Sequence, residues 1–325
     1  MTYEPVRWGI ISTAHINRLV IPPAQASEKV DLVAVASRTQ ERADAYAPEW
    51  GIPRAYGSYD DLLADPEIEA VYISLPNTMH VEWAIRAAQA GKHVLCEKPF
   101  DSKPDKVAEA FDAAEAAGTL MSEAFMWRHN PQTTRLRRLL DEGAIGELRL
   151  VRSCFSYGLY DAGNIRLRPE VEGGALMDVG CYCVSGSRFV AGEPDVVSGQ
   201  QWTGPSGTDW VFTAQLRFPG EVLGIFDCGT AMTNRDELEA IGSEGSLFLD
   251  DPWHCRKPAI ELRRDGGVER IEVDPVDSYG LELENLSDAI RGEGELLLGR
   301  DDAIAQARVI DALFLSAASG AGVSL

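Results

Sequence analysis

Short apolar stretches alternate with amphipathic stretches over residues 1–123. The first apolar run, 6–11, leads into a polar turn and a helical stretch that is expected to end where Pro22 and Pro23 interrupt it. Such alternation predicts strands joined by helices in a parallel, doubly wound α/β sheet with right-handed crossovers. The predicted strands cover residues 6–11, 30–37, 70–75, 92–96 and 120–123, and the predicted helices begin near residues 15, 40, 58, 81 and 106.

The pattern changes in residues 124–325. After a helix predicted over 131–142, strand-like segments separated by Gly, Pro and Asp turns follow one another with few helices. This predicts an α+β domain with a large, mostly antiparallel open sheet. An apolar face on that sheet would pair with a second copy, so we expect a homodimer or homotetramer formed through it. The predicted strands cover residues 147–157, 196–203, 209–218, 222–228, 237–242, 246–250, 259–264 and 268–273, and helices follow at 280–291 and 301–319.

Charge and hydropathy narrow the class of partner. The 325 residues carry a net charge of -21, which repels nucleic acid and anionic membranes over the whole surface. No apolar run approaches the roughly 18 residues of a membrane span, and the first residues show no basic segment followed by an apolar one. We therefore expect a cytoplasmic protein with a small-molecule partner and without a nucleic-acid or membrane partner.

The six cysteines are too sparse for a disulfide scaffold. Cys181 and Cys183 alternate as neighbours in a strand would, but no second Cys or His pair stands at zinc-ligand spacing. Small buried packing residues are the favoured interpretation, and no metal is predicted.

The turn after the first strand is a candidate for binding a dinucleotide. A dinucleotide-binding domain places the pyrophosphate there, on backbone N–H groups and the positive end of the next helix. Ser12 and Ala14 stand where the Gly-x-Gly pair of the fingerprint is expected, so an ordinary β-α turn remains open. Small side chains still let the backbone approach a diphosphate, and the Ser12 and Thr13 hydroxyls could donate to it. The predicted contacts are Ser12, Thr13, Ala14, His15 and Ile16.

The end of the second strand indicates which dinucleotide is bound. An NAD site would place a carboxylate on the adenosine ribose, but this chain has Ser37 and Arg38. A guanidinium with neighbouring hydroxyls suits a 2′-phosphate, so NADP is favoured over NAD, which stays possible. Arg38 as a surface charge is the alternative.

Two further strand ends carry polar residues. Leu75, Pro76, Asn77 and His80 follow the third strong strand and could line the cofactor crevice, although Asn77 capping the next helix is an equal account. Lys98 follows the strand at 92–96 and precedes a proline that disfavours helix. It therefore lies where open α/β sheets bind ligands, although Glu97 and Lys98 could also form a solvated ion pair.

Motifs spread along the whole chain resemble one enzyme family. Pro76-Asn77-x-x-His80, Cys96-Glu97-Lys98-Pro99 and the Gly-Gly-Ala-Leu-Met-Asp-Val-Gly-Cys-Tyr segment at 173–182 resemble, in order and spacing, the glucose-fructose oxidoreductase / inositol dehydrogenase / MocA family. The resemblance implies an N-terminal Rossmann domain, with Glu97 and Lys98 also near the cofactor. Tyr182, where many members carry His, is similar to the branch with dimeric dihydrodiol dehydrogenases, NADP-dependent xylose dehydrogenases and ketosugar reductases. That branch uses a lysine and a tyrosine.

Hydride transfer at a carbinol carbon asks for such a pair. One group must move the hydroxyl proton and another must stabilise negative charge that develops on oxygen. We assign Tyr182 as the acid/base, since a nearby ammonium would lower its pKa, and Lys98 as the cation that polarises the substrate oxygen. Asp178 would orient Lys98 or a substrate hydroxyl if this segment is helical. A buried structural aromatic is the alternative for Tyr182.

The floor of the substrate pocket could be formed by Trp127, Arg128 and His129, although close packing explains these residues nearly as well. Tyr157, Tyr160 and Arg166 border a Gly-rich stretch that could form a pocket loop; Tyr160 is the predicted substrate contact among them. The sequence thus predicts an NADP-dependent oxidoreductase of a sugar or diol, with an aldose oxidised at C1 as the leading case. A ketosugar or dicarbonyl reductase, a trans-dihydrodiol dehydrogenase and a non-catalytic NADP- or sugar-sensing regulator are the alternatives.

Overall fold

The computed structural model describes residues 3–159, 161 and 163–325. These residues form two compact units, of which the first contains the described residues up to Asp101 together with Asp105–Met126 and Asp277–Ile304. The second contains Ser102–Pro104, Trp127–Val276 and Ala305–Leu325. Compactness does not show which segments fold independently, so the domain boundary after residue 123 stays a prediction.

The first unit is built on a parallel sheet, which confirms the predicted doubly wound architecture. Its six strands lie in the order β3-β2-β1-β4-β5-β6. The order reverses between β1 and β4, which makes the ends of these strands the switch point where such sheets bind ligands. The strands are β1 (Val6–Ile11), β2 (Val30–Ala36), β3 (Arg54–Tyr56), β4 (Ala70–Ile73), β5 (His93–Glu97) and β6 (Met121–Ala124), and the connecting helices are α1 (Asn17–Ala26), α2 (Gln40–Glu49), α3 (Tyr59–Leu63), α4 (His80–Gln89) and α5 (Pro104–Ala117).

Helix α1 continues through the two prolines, so the expectation that it ends there is wrong. A proline inside a helix removes a backbone hydrogen bond and costs about 3 kcal/mol, which tertiary packing must offset. Val20, Ile21 and Ala24 are buried on this helix, and it packs on α8 (Ser278–Arg291). The burial of this apolar face on both sides of the prolines explains why the helix persists.

The second unit is built on a nine-stranded sheet in the order β14-β13-β12-β11-β7-β10-β9-β8-β15. Among the described strands of this second sheet only β7 and β10 pair in parallel, so the prediction of a mostly antiparallel sheet is confirmed. The strands are β7 (Leu148–Gly158), β8 (Val196–Thr203), β9 (Asp209–Arg217), β10 (Leu223–Gly229), β11 (Ala231–Gly242), β12 (Ser246–Asp250), β13 (Ala259–Arg264), β14 (Gly267–Glu272) and β15 (Val323–Ser324), and the remaining helices are α6 (Pro131–Asp141), α7 (Cys181–Ala191) and α9 (Arg300–Ser319).

Helix α7 was not predicted as an element of its own. It continues a π-helical turn at Leu176–Gly180, and it packs against β7 on one face of the second sheet. Cys181 and Cys183 therefore lie on a helix, and their strand-like alternation was misleading because two positions do not define a period. All six cysteines lie among the described residues and are buried, and none of them forms a disulfide bond, as expected of small packing residues.

None of the helices in the described part of the chain combines the length and apolar character that a membrane crossing requires.

Candidate active site

A hydrogen-bonded network shapes the turn after β1 at the switch point. Ser12 has φ 125°, a conformation that glycine adopts far more readily, which explains why the fingerprint expects glycine there. Its hydroxyl lies 2.9 Å from the carbonyl and 2.8 Å from the hydroxyl of Ser74, and Asn17 donates to the Ser12 carbonyl at 2.9 Å. These bonds hold a strained serine where a glycine is usual.

The turn residues after Ser12 lead directly into α1. Thr13, Ala14 and Ile16 are half-buried and His15 is exposed. The first turn of α1 carries no acidic residue, so no carboxylate of that turn competes with an anionic ligand for its positive end. Their role in cofactor binding stays a prediction.

Two arginines lie near the end of β2. Ser37 is buried and Arg38 is exposed. Burial raises the pKa of Tyr59, and the charges of Arg38 and Arg42 act against that shift, which places both guanidinium groups near this hydroxyl. Arg42 was not predicted from the sequence; it lies four residues after Arg38, in the first turn of α2.

His80 joins the segments that follow β4 and β5. Its Nδ1 lies 2.9 Å from the Pro99 carbonyl oxygen and its Nε2 lies 2.8 Å from that of Leu75. Burial lowers the pKa of His80, although its hydrogen bonds to these carbonyls favour the charged ring. Asn77 opens the short 3-10 turn Asn77–Met79 that precedes α4, immediately after Pro76. His80 thus connects the Leu75 carbonyl to the backbone that immediately follows Lys98.

Two carboxylates fix the backbone around Lys98. Glu97 accepts a hydrogen bond from the Tyr72 hydroxyl at 2.5 Å and one from the Lys98 backbone N–H at 3.1 Å. Glu123 accepts from the Phe100 N–H at 2.8 Å, beyond a cis Lys98–Pro99 peptide. The backbone carrying the half-buried Lys98 is therefore held on both sides, which gives Glu97 a structural role.

A second buried carboxyl group lies near Glu97. Burial, followed by the charges of Glu97 and Asp277, raises the pKa of Glu282 well above its usual range. Neither of its oxygens has a hydrogen-bond partner among the described residues. Burial therefore favours the neutral form of the Glu282 carboxyl group. It lies on α8, far from Glu97 in sequence, and no local signal pointed to it.

Asp178 is held by two side chains in the second unit. The Tyr157 hydroxyl donates to its Oδ2 at 2.5 Å, and Arg166 Nε donates to its Oδ1 at 2.8 Å. Burial, together with the Asp178 charge, raises the pKa of Tyr157 above its usual range, so this hydroxyl remains a donor. Both residues border the Gly-rich stretch, but only the fold shows that they converge on Asp178.

Tyr182 lies four residues after Asp178 on the continuous helical segment, as the assignment required. Its side chain is largely buried, with ring centroids 5.4 Å from Phe155 and 5.9 Å from Trp253. Neither aromatic neighbour was predicted from the sequence, because both lie far from Tyr182 along the chain. The catalytic roles of Asp178 and Tyr182 stay predictions.

The residues predicted to floor the pocket are closely packed. Trp127 is 1% exposed and makes edge contacts with Phe189 and Trp253. Burial, and then the Arg128 charge, lowers the pKa of His129 to about 3, so its ring is neutral at physiological pH. The predicted contact at Tyr160 lies outside the described residues.

Asp236, Asp251 and His254 place potential metal-ligand atoms within 4.8 Å of one another. His254 Nδ1 lies 3.0 Å from Asp236 Oδ2, and Arg256 donates to both oxygens of Asp251 at 2.8 Å. Hydrogen bonds from His254 and Arg256 outweigh burial and lower the pKa of Asp251. The Arg256 guanidinium and the His254 imidazole already bind these carboxylates. The absence of a metal stays a prediction.

The chain matches known proteins along nearly all its length. Residues 6–125 match the model of an oxidoreductase family with an NAD-binding Rossmann fold, and residues 133–248 match the GFO/IDH/MocA C-terminal domain. The chain is 38% identical to a D-xylose 1-dehydrogenase (NADP(+)) of Haloferax volcanii, over 98% of this chain and 99% of the relative. It is 34% identical to the human trans-1,2-dihydrobenzene-1,2-diol dehydrogenase, over 83% of this chain and 81% of the relative.

A solved structure extends the likeness to the fold. It is a 3-ketoreductase from Actinomadura kijaniata in complex with NADP and TDP-benzene, with a TM-score of 0.91 and 28% identity over 96% of this chain and 98% of that one. Together with the motifs at 76–80, 96–99 and 173–182, these matches show that the chain belongs to the Gfo/Idh/MocA family of oxidoreductases.

Proposed function

We propose that this protein is an NADP-dependent dehydrogenase that oxidises C1 of an aldose such as D-xylose. The observation that carries the proposal is the helical segment that bears both Asp178 and Tyr182. Tyr157 and Arg166, which lie outside this segment, hold the Asp178 carboxylate. Identity of 38% with an NADP-dependent D-xylose dehydrogenase over nearly the whole chain supports this choice of substrate.

Each residue has a separate task in this reaction. NADP, when bound, supplies the nicotinamide that accepts the hydride. Tyr182 removes the proton of the C1 hydroxyl as the hydride leaves carbon, and the Lys98 ammonium stabilises the negative charge on that oxygen. Asp178, oriented by its two donors, accepts a hydrogen bond from a neighbouring sugar hydroxyl and fixes the ring.

Reduction of a ketosugar is the second candidate, because the same groups run the reaction backwards with NADPH. The structural similarity to the 3-ketoreductase supports this second candidate. A panel of aldoses and diols with NADP, and of ketosugars and dicarbonyls with NADPH, separates the two by kcat/KM. Tight NADPH binding without turnover of any panel member would instead indicate a sensing role and contradict the enzymatic proposal.

The choice of NADP leads to a prediction on Arg38. Arg38→Ala is expected to raise the KM for NADP by about 10- to 100-fold and to leave the KM for NAD within about twofold, since only NADP carries the phosphate. Steady-state kinetics with both cofactors measures this. Arg138→Ala, in an exposed ion pair on α6, is the control. A parent enzyme that prefers NAD would overturn the assignment.

We also propose that the open face of the second sheet pairs with a second copy of the chain. A trough of about 670 Å³ lies on this face, flanked by Ile225, which is 40% exposed. Glu239 in the trough faces Arg152 and Arg263 at 3.8 Å and 3.3 Å, so its charges are paired within the sheet. Pairing within the sheet means that a partner covering this face would not bury an isolated Glu239 charge, and isolated buried charges are the most costly to cover.

Ile225→Lys is expected to convert the assembly to monomers, because an unpaired ammonium would be buried at the contact. Light scattering coupled to size exclusion measures the mass. Leu297→Lys, at a residue 48% exposed in the first unit, should keep the parental mass. A monomeric parent would contradict the proposal.

A further inference from the structure

A carboxylate from a strand that is distant in sequence caps the start of the helical segment that bears Asp178 and Tyr182. Asp209, the first residue of β9, is 5% exposed, and its Oδ2 accepts the Leu176 backbone N–H at 2.7 Å. The residue at the N-cap position, Ala175, has no side chain that can cap. Asp209 therefore caps the start of the helix in the way that a local Ser, Thr or Asp usually does.

Two glycines make room for this arrangement. Gly174 has φ +128°, and a Cβ there would collide with Asp209 Oδ1. A Cβ at Gly173 would lie 2.5 Å from the Arg166 carbonyl oxygen. The Gly-Gly pair before the helix is thus required because a carboxylate and a backbone segment occupy the space of the side chains.

The same contacts connect Asp209 to the candidate catalytic groups. The Gly174 N–H donates to the Arg166 carbonyl at 2.8 Å, and the Arg166 side chain binds Asp178. The Asp178 N–H in turn donates to the Gly174 carbonyl at 3.0 Å. The capped turn, the Arg166 segment and Asp178 therefore form one connected arrangement that also sets the start of the helix with Tyr182.

The cap needs an oxygen acceptor more than it needs a charge. Burial raises the pKa of Asp209 to about 7, while the N–H groups of Leu176, Asp209 and Ala175 act in the opposite direction. Both protonation states keep an acceptor oxygen toward the helix. An asparagine of the same shape would keep it too, whereas alanine would remove it.

We propose that Asp209 is a positioning residue for the reaction: its buried carboxylate sets the place and direction of the helix with Asp178 and Tyr182. The proposal rests on the function proposed above, because it assumes that these two residues act on the substrate. The Asp209 carboxylate accepts a backbone hydrogen bond at the start of the helix, and in this proposal it acts on the reaction through Asp178 and Tyr182.

The test compares Asp209→Ala, Asp209→Asn and Asp209→Glu in the full-length protein. Asp209→Ala is expected to lower kcat by about 10- to 100-fold with the NADPH dissociation constant within about twofold, since misplaced catalytic groups cost rate. Asp209→Asn should keep at least about a third of the parental kcat. Asp209→Glu keeps the charge but has one more methylene, so it should displace the turn and lower kcat. Asp250→Ala, at an exposed ion pair, is the control.

A second arm separates positioning from a general loss of stability. In a Tyr182→Phe background, Asp209→Ala should cause a smaller further loss than it causes in the parent, because the part of its effect that acts through Tyr182 is already gone. Parental kcat in Asp209→Ala, or in Asp209→Glu if the alanine variant does not fold, would overturn the proposal. A full multiplicative loss in the Tyr182→Phe background would do so as well. If Tyr182→Phe alone keeps full turnover, the proposed function fails instead.

Discussion

Lys98→Met is expected to lower kcat by about a thousandfold while leaving the dissociation constant for NADPH within about threefold. Methionine keeps most of the length of the side chain but removes the ammonium that stabilises charge on the reacting oxygen. Loss of one such stabilising group typically costs about 10²- to 10³-fold in rate, and Lys98 would also assist the proton transfer. Cofactor binding is measured by NADPH fluorescence and turnover by absorbance at saturating substrate.

A matched control lies just before the same strand. Lys92 precedes β5, as Lys98 follows it, and its ammonium donates to the buried carbonyls of Asp65 and Ile68 at 2.6 and 2.8 Å. Lys92→Met should lower the free energy of unfolding by about 2 kcal/mol, because these carbonyls lose their donor, with kcat unchanged. Lys98→Met should show the opposite pattern, with lost turnover and a nearly unchanged Tm. Turnover within tenfold of the parent in Lys98→Met would reject the role of the cation.

Tyr182→Phe is the second large effect. It removes only the hydroxyl, so the ring contacts with Phe155 and Trp253 remain and the Tm should move by less than about 3 °C. The loss of the acid/base should lower kcat by about 10²- to 10⁴-fold, with a small change in the substrate KM. Kinetics across pH would also show the loss of the ionisation assigned to the tyrosine.

Tyr56→Phe is the control for losing a tyrosine hydroxyl. Its hydroxyl donates to Asp65 Oδ2 at 2.6 Å. Its loss should cost about 1 kcal/mol of stability and no activity. If Tyr182→Phe behaves like Tyr56→Phe, then Tyr182 is a packing residue, and the proton must be moved by another group.

The strands could be predicted because their signal is local. An apolar run such as 70–75 between polar turns defines a buried strand whatever lies beside it. Short elements escaped this reasoning: β3 has three residues and β15 has two, too few to show a period. At α1 the local signal was strong but misleading. Pro22 and Pro23 predicted that the helix would end, yet it continues because its apolar face is buried.

The sequence by itself determined the two kinds of sheet, the positions of the strand ends and the family motifs that point to Lys98, Asp178 and Tyr182. This was possible because strand periodicity and short motifs depend on residues that are close together in the sequence. Only the tertiary structure decided the partners of these residues: Tyr157 and Arg166 on Asp178, Glu97 on the Lys98 backbone, and Asp209 at the start of the helix. The contact of Asp209 with Leu176 spans 33 residues, and folding alone brings such groups together, because a long-range contact leaves no periodic trace in a single sequence.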